Sequence, residues 1–96
     1  MEFKGTKGKW LFSIFSGQMF PSVYKSGEGY ICDVYPKTCM YSTKEENDKS
    51  REEAKANALL ISKAPEMLKI LIEVLENKSD VDYDKIEKLI KEATEI

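Results

Sequence analysis

Hydrophobic residues follow two different spacings along the chain, and the change falls near its middle. In KWLFSIFSG, residues 9–17, near-alternation places Trp10, Phe12 and Ile14 on one face and Leu11, Ser13 and Phe15 on the other, the period of a strand, and Gly17 ends the run. MFPSVYKSGEGYICDVYPK, residues 19–37, supplies two more strand segments, Gln18 to Lys25 and Tyr30 to Tyr35, joined by the turn Ser26-Gly27-Glu28-Gly29. Turns this short leave no room for the crossovers that parallel pairing needs, so the pattern predicts an antiparallel meander. Pro21 has no N–H to give to a ladder, which predicts an edge position or a bulge for its strand.

Beyond Pro36 the chain turns polar, and from residue 50 apolar residues recur at intervals of three and four. Two pairs have the S/T-x-x-E spacing of a capping box: Thr43 with Glu46, and Ser50 with Glu53. The second stands next to the first apolar positions and predicts a helix over 50–63, with a stripe of Ala54, Ala58 and Ile61 and with Leu60 alongside. Pro65 suits the first turn of a new helix better than the interior of a continuing one, so it marks a structural break between two helices. In the second, over 65–77, seven of the nine residues from Met67 to Leu75 are apolar. Lys69, Glu73 and Glu76 are its solvent line, which predicts a central helix packed on the sheet and another helix, or on a second subunit. A third helix, over 80–94, has Ser79 as its cap, Asp80, Asp82 and Asp84 near its positive end, and a stripe of Ile86, Leu89, Ile90 and Ala93. The fold expected is α+β: a small three-stranded antiparallel sheet followed by three helices packed on one face. Residues 1–96 form one domain, strand-rich over 1–44 and helical over 45–96.

Charge sharpens this division. Residues 1–44 carry six lysines and three acids, and residues 45–96 nine bases and fourteen acids, within an overall net charge of -2. A near-balanced total argues against a dedicated duplex-DNA binder, which must neutralise many phosphates. Neither a targeting segment nor a membrane span is expected, which points to the cytoplasm. The two cysteines, Cys32 and Cys39, are not a CxxC pair, and there is no histidine, so no metal site is expected and the thiols read as reduced and structural.

Without histidine no Ser-His-Asp or Cys-His arrangement forms within the chain. The glycines of KGTKGKW and KSGEGY match neither a phosphate-binding loop nor a dinucleotide fingerprint, and read as turns. Asp33, inside an aromatic strand, reads as an exposed or edge residue. The expectation is therefore a non-enzymatic protein with no cofactor. Nine of the ten aromatic residues occur by Tyr41, more than one covered sheet face can bury. Trp10, Phe12, Tyr24, Tyr30 and Tyr35, with Lys9 and Lys25, form the candidate binding set, and self-association or a host protein is the expected contact. The alternative is nucleotide or single-stranded nucleic-acid binding, in which rings stack on bases beside lysines. Asn57, a polar residue among alanines, is expected to bond to turn or sheet backbone.

The tract at residues 52–75, with GKWLF and GYICDVY upstream, resembles a class of small phage and prophage accessory proteins carrying EAxxNAxLIxxAPELLxxL. Glu53, Ala54, Asn57, Ala58, Leu60, Ile61, Ala64, Pro65, Glu66 and Leu68 stand at its positions, with Met67 in place of leucine. The resemblance implies an accessory role in a host cell, in some members as an antagonist of bacterial defence, and brings no catalytic residue with it.

Overall fold

The computed structural model describes residues 3–14, 20–37, 43–77 and 81–95. Strands β1 (Leu11–Ser13), β2 (Ser22–Lys25) and β3 (Gly29–Asp33) precede helices α1 (Lys44–Ser62), α2 (Ala64–Glu76) and α3 (Tyr83–Thr94), the α+β order expected. The sheet is an antiparallel meander in the order β1-β2-β3. Its second turn depends on glycine. Glu28 N–H donates to the Lys25 carbonyl at 3.0 Å, and Gly27, at φ +83°, takes the left-handed position that such a turn reserves for a residue without a Cβ.

Three cross-strand rows order the sheet. Phe12, Val23 and Cys32 align on one face, while Leu11–Tyr24–Tyr30 and Ser13–Ser22–Asp33 align on the other; Ile31 is an extra residue in β3 where the register shifts between Val23 and Tyr24. Of the two expectations for the strand after Pro21, the edge position is corrected because β2 is central, and the bulge falls in its partner β3 at Ile31. Pro21 lies just ahead of the first residue of β2, where no N–H is required, and accepts from Val34 N–H at 2.8 Å.

The inner face, with Val23 and Val34, packs against Ala54 and Ala58 of α1, and Trp10, Phe12, Ile31, Cys32 and Ile61 surround them. Two alanines one helical turn apart let the helix backbone approach the sheet closely. Helix α1 meets β1 and β2, while α2 and α3 pack on α1 and on each other rather than on the strands. The chain is accordingly long, 52 × 28 × 20 Å, with a radius of gyration of 16.0 Å against about 12.5 Å for a compact domain of this length. Among the described residues, no helix is long and apolar enough to cross a membrane.

Several helix expectations need correction. Helix α1 begins at Lys44, capped by Thr43: Glu46 N–H donates to Thr43 Oγ1 at 3.1 Å, and Thr43 N–H to Glu46 Oε2 at 3.4 Å. This earlier box prevails over Ser50–Glu53 because the polar turns it adds are mostly exposed and need no apolar stripe, with Asp48 pairing to Arg51 one turn on. Leu59 rather than Leu60 is buried, and Leu60 is exposed. The break beside Pro65 is present, with the turn at Lys63, whose carbonyl accepts from Met67 N–H at 3.0 Å and opens α2. Helix α2 is not central: none of its residues is buried, because α1 alone occupies the sheet face. Asp82 caps α3, its carboxylate accepting from Lys85 N–H at 3.1 Å; Ser79 and Asp80 lie outside the described residues. Ile90 is exposed, although Ala93 of the same stripe is buried.

Capping provides a direct check. Thr43→Ala should cost about 1 kcal/mol in urea unfolding by removing a side-chain acceptor at the helix start, whereas Ser50→Ala, mid-helix, should stay within about 0.5 kcal/mol of the parent. The reverse ranking would restore the later start.

Candidate functional site

Alternation along β2 and β3 directs Phe20, Tyr24, Tyr30 and Tyr35 to the sheet face opposite α1. They form two ring pairs. Tyr24 and Tyr30 meet edge to face at 6.4 Å between centroids, and Phe20 and Tyr35 at 4.7 Å with a 58° tilt. The outer rings remain in solvent, Tyr30 being 72% and Tyr35 67% exposed.

Between the pairs runs the polar row Ser13–Ser22–Asp33. Ser22 Oγ donates to Asp33 Oδ1 at 2.8 Å, which fixes the carboxylate at the sheet edge. Ser13 Oγ, on a residue only 4% exposed, takes no hydrogen-bond partner among the described residues. The row therefore joins a satisfied Ser–Asp pair to a hydroxyl able to donate or accept once more.

The structure separates the residues of the candidate set. Tyr24, Tyr30 and Tyr35 share the outer face. Trp10 and Phe12 pack against the core cluster, and Trp10 Nε1 donates to the Thr6 carbonyl at 3.0 Å. Lys25 is tied to Glu28 at 3.2 Å. Lys9 lines a groove of about 610 Å3 between the N-terminal segment and α2, whose floor includes Phe3, Pro65, Leu68 and Ile72, and the Lys25 ammonium lies against neighbouring Gly8. Asn57 is exposed and, among the described residues, has no hydrogen-bond partner, so its expected bond to turn or sheet backbone is replaced by solvent. Pro65 keeps its place at the start of α2. Phe20 and the Ser13–Ser22–Asp33 row were not among the expected site residues. Alternation at Phe20, Ser22 and Tyr24 is the sequence signal for the first, whereas the second appears only once register is known.

Comparison with known proteins then fixes the affiliation. The family model for Salmonella phage P22 protein Y8K6 matches residues 1–96, the whole chain. The chain belongs to that family. No curated protein and no solved structure matches it. Membership in the P22 Y8K6 family agrees with the phage character that the tract at 52–75 suggests.

In this family member, Cys32 is the thiol among the described residues, on the inner face beneath α1. Burial pushes its pKa up, the Asp33 carboxylate pushes it further, and a backbone hydrogen bond with Val23 opposes both. Below roughly pH 8 the thiol is protonated in folded and unfolded chains alike; above that the unfolded chain loses its proton first, so the Cys32 contribution to stability falls as pH rises. Alkylation of Cys32 by iodoacetamide near pH 8 should be slower than that of a free thiol, and slower than in the urea-unfolded chain. Equal rates in the two states would contradict the shift.

Proposed function

We propose that the protein is a non-enzymatic phage protein that binds a host protein through the outer face of its sheet and thereby inhibits that component. The observation carrying this reading is the exposure of Tyr30 and Tyr35 at the β3 side, each backed by a second ring that holds it in place. Rigid, solvent-facing tyrosines supply large contact area at low entropic cost and recur at the energetic centres of protein interfaces. Asp33, exposed and held by the buried Ser22 hydroxyl, offers a fixed polar contact that gives such a surface its register. Phage affiliation supports a host component as the target, and the host cytoplasm as the place of action. A stacking surface for single strands is less well supported, because Lys25 is neutralised by Glu28 and Lys9 stands on the groove beside α2.

Affinity capture from a bacterial host lysate, run with the parent chain and with Tyr30→Ala/Tyr35→Ala, tests the proposal. A reproducible protein should be retained by the parent and lost, by roughly 10-fold or more, with the double variant. Titration with short single strands at low salt should give no saturable signal. Capture unaffected by the two substitutions, or saturable salt-sensitive binding to the strands, would overturn this reading.

A further inference from the structure

On α2 the exposed apolar residues are Ala64, Leu68, Leu71 and Leu75, a four-three-four spacing that forms one straight seam along the helix. Leu71 is 65% exposed, Leu75 49% and Leu68 37%. Among the described residues the N-terminal segment borders this seam at Leu68, while Leu71 and Leu75 face solvent, and no residue of α2 is buried. A helix of 13 residues is at the margin of independent stability and is normally held by burying an apolar face. The whole chain exposes 7421 Å2, whereas a compact chain of 11.0 kDa exposes about 5,600 Å2. That excess is spread over the whole elongated chain, and Leu68, Leu71 and Leu75 are part of it.

We propose that α2 of a second copy of this chain covers the seam, packed antiparallel about a two-fold axis passing between Leu71 and Ile72. A heptad-spaced seam fits another helix, and a two-fold interface requires a surface complementary to itself. Antiparallel packing sets Leu68 against the partner's Leu75 and carries Lys69, exposed beside the seam, toward the partner's Glu76. Parallel packing would align Lys69 with its own copy and Glu76 with its own copy, and would set the two helix dipoles side by side in the same direction. The seam is independent of the aromatic sheet face, which stays open in such a dimer.

Analytical ultracentrifugation of the full chain over roughly 1–200 μM tests the assembly. The parent should sediment with about twice its 11.0 kDa mass. Leu71→Glu should raise the dissociation constant at least ~100-fold, because a charge replaces a leucine twice per dimer, while far-UV circular dichroism keeps its helical signal. For the orientation, Leu71→Cys in a Cys32→Ser/Cys39→Ser background should cross-link to its copy on mild oxidation. Leu68→Cys should not, since two-fold antiparallel packing offsets residue 68 from its copy by about 10 Å along the axis. A parent that stays monomeric throughout, a dimer indifferent to Leu71→Glu, or Leu68→Cys cross-linking as readily as Leu71→Cys would overturn the proposal.

Discussion

Ala54 and Ala58 lie against Val23 and Val34, and this small-residue contact is what joins the helical half of the chain to its sheet. Val23 and Ala58 are wholly buried and Ala54 nearly so, although none of the three is large. Their value is in proximity. A larger residue at either alanine would lift α1 off β1 and β2, and no other helix is placed to take over that face. Everything on the far side of α1 depends on it: α2 and α3 are fixed through α1 and each other, with Lys63 pairing with Glu92 at 3.7 Å and Lys85 with Glu73 at 2.8 Å.

One consequence is a division of the surface. Because a single helix satisfies the inner sheet face, the outer face is left to the tyrosines and to the Ser22–Asp33 pair. Because α2 is held at the margin, its leucines are left in solvent. A chain of this length has little apolar area to commit to one core, and this one spends it on a narrow contact while displaying two apolar surfaces of different character. One is aromatic, rigid and mixed with hydroxyls; the other is aliphatic and spaced like a helix-pairing seam.

The elements themselves were legible in the sequence because their causes are local. Alternation identified the strands, Gly27 the turn between the second and third, and Pro65 the break between the first two helices. Position within the fold was less legible. Apolar density in Met67–Leu75 reads as burial, yet burial requires a partner surface, and α1 had already taken the sheet. The start of α1 was set by reciprocal capping at Thr43 and Glu46, which needs no apolar stripe nearby and so loses to Ser50–Glu53 when hydrophobic periodicity decides between the two boxes. The same applies to the site: Tyr24, Tyr30 and Tyr35 could be chosen by type and exposure, but Trp10 and Phe12 share their chemistry and differ only in which face the register gives them.

Native-state hydrogen exchange on the dilute chain tests most directly the claim that the α1–sheet contact holds the two halves together. Amides of α1 around Ala58 and those of β2 around Val23 should be the slowest in the protein and share one opening free energy, with α2 and α3 exchanging through smaller openings. Slowest exchange in α2, or α1 and β2 opening with clearly different free energies, would contradict it.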